Sequence, residues 1–148
     1  METYITLEEL ETILPTIFTT AELNKIGWET LSNSDKMVYL LRSCDYIDMM
    51  RYRGRKYEIG QLRAFPRIID NVYFPIIENI RLATASMVFH LIETDKDVRY
   101  SLQKQGVTSI KSGDEAETYD LGKASATDSA SYKLFSSYLS PFLYNGVI

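Results

Sequence analysis

Apolar positions recur along the chain in three clear helical patterns. Thr6-Leu7-Glu8-Glu9 reads as a capping box, in which the Thr6 hydroxyl and the Glu9 carboxylate each accept a backbone N–H of the other. Leu7, Leu10 and Leu14 then share one helical face, and Pro15 is expected to end that short helix. The stretch 19–31 is ambiguous by pattern: Thr19 and Glu22 could cap another turn, and Trp28 is its natural anchor to the core. The next helix starts near Ser34, with Met37, Leu40, Leu41, Cys44 and Ile47 spaced by threes and fours. Asp35, Lys36, Arg42, Ser43 and Asp45 fall on its other side, and Gly54 is its latest stop signal.

Residues 52–74 lack a clean period and read as a long loop. Pro75 then suits the first position of a third helix, where its missing N–H costs nothing. Ile76, Ile77, Ile80, Ala83, Thr84, Met87, Val88 and Leu91 make its wide apolar stripe, which predicts a helix to about Thr94 as the spine of the core. The polar run 95–105 reads as a connection. Residues 106–120 combine β-branched residues with Gly106 and Gly113 and form a candidate β-hairpin; 122–131 read as a small, polar linker. Tyr132, Phe135, Tyr138 and Leu139 return to helical spacing, followed by Pro141, Phe142, Leu143 and Tyr144. The fold class expected is mainly α: one small helical domain over 1–148, with a long central loop, a candidate hairpin and a C-terminal helix and tail. No internal repeat is present.

Composition narrows the function more than it specifies it. At 148 residues and 17.0 kDa, with 45% hydrophobic and 24% charged residues, the chain is of globular type. One cysteine, Cys44, excludes an internal disulfide framework and a multi-cysteine zinc site. One histidine, His90, would have to serve any Ser-His or Cys-His mechanism. No phosphate-binding glycine loop, H-E-x-x-H or G-x-S-x-G motif occurs. His90 reads as a boundary histidine with one hydrogen bond, or else as a general base or metal ligand. Cys44, on an apolar stripe, reads as an inert thiol. Asp45 with Asp48, and Asp95 with Asp97, are acid pairs without the ligand count a hard cation needs. The expectation is a protein without catalysis, metal or cofactor. The start Met1-Glu2-Thr3-Tyr4 is unlike a signal peptide, and polar residues interrupt the apolar stretch 72–92, so synthesis in a cytoplasm and no membrane partner are expected.

Charge is unevenly distributed. Net charge is −4, with a pI of about 5.0. Residues 51–67 nevertheless hold Arg51, Arg53, Arg55, Lys56, Arg63 and Arg67 against Glu58 alone, so this segment carries +5 and the remainder −9. Tyr52, Tyr57 and Phe65 are interleaved with the bases. Such a mixture fits a phosphate backbone, single-stranded bases or an acidic protein surface, and equally a solvated loop with surface ion pairs. The aromatic tail is either a helix that closes the core or, beyond Pro141, a docking segment.

An ordered set of motifs resembles the head–tail connector, or adaptor, proteins of tailed bacteriophages. Some of these are labelled DnaT-like single-stranded DNA-binding proteins. The set comprises Tyr4-Ile5-Thr6-Leu7-Glu8-Glu9-Leu10, Trp28 before Ser34-Asp35-Lys36, Tyr52-Arg53-Gly54-Arg55-Lys56, Gln61-Leu62-Arg63-Ala64-Phe65-Pro66-Arg67, a proline-started long helix, and a tail ending near Tyr138-Leu139. The order covers nearly the whole chain, although 106–120 is more acidic than that pattern. The resemblance implies a structural ring beneath the portal, expected to be twelvefold, that extends the channel for double-stranded DNA and binds the tail or a stopper protein. It implies a place in the neck of a virion. It makes Arg53, Arg55, Lys56, Arg63, Phe65 and Arg67 channel or inter-subunit contacts. It makes Tyr132, Phe135, Tyr138, Leu139, Phe142, Leu143 and Tyr144 the portal-docking region. The alternative it carries is a single-stranded DNA-binding module.

Overall fold

The two threonine caps set the course of the N-terminal third. In a computed structural model that describes residues 2–109 and 129–144, Thr6 closes a complete capping box with Glu9 and opens α1 (Leu7–Ile17). Thr19 and Glu22 close a second box and open α2 (Thr20–Ile26). Pro15 lies inside α1 instead of ending it. It removes one backbone bond, and the helix stops two residues later, where the Phe18 N–H returns to the Leu14 carbonyl. Gly27, at φ +72°, ends α2 in the left-handed region and leads into a 3-10 turn over Trp28–Thr30.

Ser32 caps α3 (Asn33–Asp48) by accepting the Asp35 N–H. Its inner face differs from the expected one. Leu40, Cys44 and Ile47 are buried as the spacing requires, but Lys36 and Ser43 are buried with them, whereas Leu41 is half-buried and Met37 lies at the surface. Lys36 goes inward because its charge has partners there. Its Nζ lies 2.8 Å from Glu11 Oε1 and 4.5 Å above the Trp28 ring, and Trp28 Nε1 donates to the other Glu11 oxygen at 2.9 Å. Ser43 goes inward to donate to the Thr84 carbonyl at 2.7 Å.

The stretch 52–74 is not one loop. It contains β1 (Arg55–Lys56), β2 (Arg67–Ile69) and β3 (Val72–Phe74), an antiparallel sheet in that order. Ile69 pairs with Val72 across Asp70 and Asn71, whose φ angles of 53° and 65° match a two-residue primed turn. Gly54 is not a helix stop, since α3 ends at Asp48. It lies at φ +74° against β2, where a Cβ would come within 2.0 Å of the Ile68 carbonyl oxygen.

The long helix α4 begins at Glu78, three residues after Pro75, and runs to Ser109. The expected stop near Thr94 and the connection over 95–105 are therefore replaced by helix. Residues 106–109 of the expected hairpin belong to α4, and 110–120 lie outside the described residues. Ala83 to Ile92 is buried around the whole circumference of α4, as suits a helix enclosed by its neighbours. Phe89 stacks at 3.9 Å on Phe18, the residue that follows α1. The last helix, α5 (Ala130–Leu139), is capped by Ser129 and packs along α4, with Phe135 and Leu139 buried. A 3-10 turn, Ser140–Phe142, follows.

Burial works to raise the Glu11 pKa, but the bonds from Lys36 and Trp28 outweigh it and hold the carboxyl below its ordinary 4.5. A depressed carboxyl contributes stability above its ordinary pKa and loses it as pH falls through the lower folded value. Urea midpoints measured from about pH 7 to about pH 3 should therefore show the wild type more stable than Glu11→Gln at neutral pH, with the gap narrowing below about pH 4.5. A gap independent of pH would contradict the ion pair's role.

Candidate interaction surface

Asp48, at the end of α3, gathers the chain segments around it. Its Oδ1 accepts the Tyr4 hydroxyl at 2.5 Å and the Ala64 N–H at 3.0 Å, and its Oδ2 lies 2.7 Å from Arg63 Nη1. The same Nη1 reaches Asp45 at 2.7 Å, and the rest of the Arg63 guanidinium donates to the Glu2 carbonyl. Tyr4 completes the circuit: its oxygen accepts the Phe65 N–H, and its own N–H points to Cys44 Sγ. Burial would lower the Arg63 pKa, but its bonds to Asp48 and Asp45 raise it, so the group remains cationic. Burial, reinforced by Asp48, likewise pushes up the Tyr4 phenol, and burial raises the Cys44 thiol to about 11. The Asp45–Asp48 acid pair is thus engaged by an arginine.

Phe65 is fully buried, with Tyr52, Phe142 and Tyr4 edge-on to it at 4.9, 5.8 and 6.5 Å. Arg67 is 8% exposed and donates to the Arg53 and Ala64 carbonyls, with its guanidinium 5.5 Å from the Tyr52 ring centre. Burial lowers its pKa. Three of the six expected contact residues, Arg63, Phe65 and Arg67, are therefore interior supports. Isolated charges bury only at large cost, and here hydrogen bonds and ion pairs supply the compensation.

The remaining three lie on an arm that projects from these supports. Arg55 and Lys56 are exposed on β1, and Arg53 bridges Asp70 at 3.2 Å and the Pro141 carbonyl at 2.6 Å. Beyond β1, Ile59 is fully exposed and Leu62 is 85% exposed; Tyr57, Val72 and Tyr73 are about half exposed. The rings of Tyr57 and Tyr73 lie 4.7 Å apart. No sequence period marks Ile59 and Leu62 as exposed; flanking Gly60 and two polar neighbours were the available signal.

The tail packs against the base of the arm. The Arg53 N–H donates to the Phe142 carbonyl, the Tyr144 N–H to the Arg51 carbonyl, and Tyr52 pairs with Leu143 in an antiparallel bridge. Of the expected docking residues, Phe135, Leu139 and Phe142 are buried, Tyr132, Tyr138 and Leu143 are half-buried, and Tyr144 is 54% exposed. Phe142 finds its place between Phe65 and Phe74, so the segment past Pro141 is not free. Neither a family model, nor a curated protein, nor a solved structure matches the chain.

His90 lies in the middle stretch of α4. Its Nδ1 lies 3.0 Å from Ser129 Oγ and 3.3 Å from Ser131 Oγ, and Ser131 donates onward to Glu93 at 3.1 Å. Burial lowers its pKa. The ring thus joins α4 to the capped start of α5. Asp95 accepts the Tyr39 hydroxyl and faces Arg42 at 3.6 Å; the side chain of Asp97 lies outside the described residues. Among the described residues no group of three potential metal ligands occurs, and no helix is long and apolar enough to cross a membrane.

Removing Arg63 leaves Asp48 without its cation. Arg63→Ala should cost about 3 kcal/mol, whereas Arg55→Ala, in an exposed position, should stay within about 0.5 kcal/mol. Urea unfolding of both variants checks this; equal losses would contradict the division into supports and exposed arm.

Proposed function

We propose that this chain is a structural adaptor in the neck of a tailed phage or prophage. In this reading it forms a ring beneath the portal, continues the DNA channel and presents a surface to the tail or to a stopper protein. One observation carries it: the C-terminal tail packs against the base of the basic segment, and the tip of that segment presents exposed apolar side chains. Large exposed apolar patches are uncommon on monomeric proteins and accompany association surfaces. Arg55, Lys56, Tyr57, Ile59, Leu62, Tyr73 and Tyr144 are the contact residues in this account. Arg63, Phe65 and Arg67 hold the arm in place. The residues of α5 keep the tail on the core, and the portal contact is limited to its outer side and Tyr144.

The proximity of Tyr57 and Tyr73 beside Arg55 and Lys56 favours one rival, a single-stranded DNA-binding module, because bases stack on exposed rings next to cations. Ile59 and Leu62 weigh against it, since aliphatic side chains at a tip suit a protein partner better.

Two measurements separate these readings. Mass spectrometry of particles purified from the source should find about one copy per portal subunit; absence from intact particles would contradict the adaptor. Oligonucleotide titration should show no binding tighter than about 10 µM at 150 mM salt. Micromolar or tighter binding that weakens steeply with salt would favour the DNA-binding module instead.

A further inference from the structure

Opposite the buried stripe of Leu40, Cys44 and Ile47, α3 carries a second seam. Val38, Arg42, Asp45 and Met49 follow one another at steps of four, three and four, the spacing of a coiled-coil stripe. All four are exposed, Val38 at 51% and Met49 at 74%. Met49 follows the helix but keeps helical backbone, so it continues the seam. Half-buried Leu41 and exposed Tyr46 flank it. From Val38 to Met49 the seam is roughly 16 Å long at 1.5 Å per residue.

The order along the seam reads the same from both ends apart from the sign of charge: apolar, cation, anion, apolar. Two such helices laid antiparallel, with a dyad at the level between Ser43 and Cys44, set Val38 against Met49 of the second copy and Arg42 against its Asp45. Each contact occurs twice, which gives two apolar pairs and two ion pairs. A parallel arrangement would set Arg42 on Arg42 and Asp45 on Asp45, and like charges across a contact disfavour it. A slip of one turn would set Arg42 against Met49 or Val38 against Asp45 and lose both ion pairs. The charge order therefore selects a second copy, in one orientation and one register.

Both charges are placed to serve a partner. Within its own chain Arg42 reaches Asp95 at 3.6 Å, longer than a hydrogen bond, and its guanidinium lies 5.7 Å from the Tyr39 ring centre. Asp45 gives one oxygen to Arg63, and its side chain remains 68% exposed.

We infer that the α3 seams of two copies pair antiparallel into a closed, isologous dimer. This goes beyond the adaptor reading and does not rest on it, since the contact uses neither the arm tip nor the tail. So short a seam belongs with interfaces below about 1,200 Å², so the pair forms reversibly.

Disulfide trapping on the full-length chain tests it, with native Cys44 buried. Under mild oxidation, Val38→Cys mixed with Met49→Cys should give a reducible heterodimer. The chain carrying both substitutions should give a dimer closed by two disulfides, with no larger species. Neither single variant should link to itself, because its two cysteines would lie roughly 16 Å apart along the axis, beyond the reach of a disulfide. Sedimentation equilibrium of the unmodified chain should show a reversible monomer–dimer equilibrium. Arg42→Glu, at an exposed position, should weaken that dimer about tenfold or more by facing acid with acid, with the thermal midpoint unchanged. Single variants that link to themselves as readily as the mixture, a doubly substituted chain that stays monomeric or forms a ladder, or a dimer indifferent to Arg42→Glu would each overturn the inference.

Discussion

The carboxylate of Asp48 is the constraint on which the arm depends. It takes a phenol, a backbone N–H and a guanidinium on its two oxygens, and these come from the N-terminal segment and from the 63–64 stretch. None of the three groups is near α3 in sequence, so each bond closes a long loop. Together they hold residues 2–4, the end of α3 and the entry to β2 in one place. Phe65 is then directed into the core, where Tyr52 and Phe142 surround it. Because the tail reaches the core through Phe142, the position of the tail is also linked to this node.

That arrangement gives the basic segment two chemical roles. Arg63 and Arg67 are inside, satisfied by carboxylates and carbonyls, and they organise backbone. Arg55 and Lys56 are outside, where an exposed cation adds little stability and is available to a partner. The +5 of the segment is therefore not a uniform patch. The exposed part is smaller and lies beside aliphatic and aromatic side chains, a mixture suited to a protein surface. Tyr144 is tied by its N–H to the Arg51 carbonyl at the base of the arm, so the tail is fixed to the segment that carries these cations.

Much of this was legible in local pattern. Both threonine caps, the apolar spine of α4 and the amphipathic face of α5 follow from spacing alone, because they depend on neighbours within a turn. Residues that depend on distant partners were not legible. Lys36 is buried because Glu11 and Trp28 wait for it, and Arg63 is half-buried because Asp45 and Asp48 hold it; hydropathy assigns all such charges to solvent. The extent of α4 escaped for a different reason. Residues 95–105 contain no glycine or proline, so nothing stops the helix, but they also lack an apolar stripe, and a polar helix has no period to read. The β2–β3 turn did leave a trace in Asp70-Asn71, two residues that tolerate left-handed backbone, set between Ile68-Ile69 and Val72-Tyr73.

The node makes a direct claim about dynamics: the base of the arm is part of the cooperative core, not a surface loop. Native-state hydrogen exchange at the amides of Ala64 and Phe65 tests this most directly. Their N–H groups are bonded to Asp48 and to the Tyr4 hydroxyl, so both should exchange as slowly as the amides in the middle of α4, with free energies close to that of global unfolding. Fast exchange at both positions, comparable to that of exposed Gly60, would contradict the account, since the arm would then lack a fixed base from which to present its side chains.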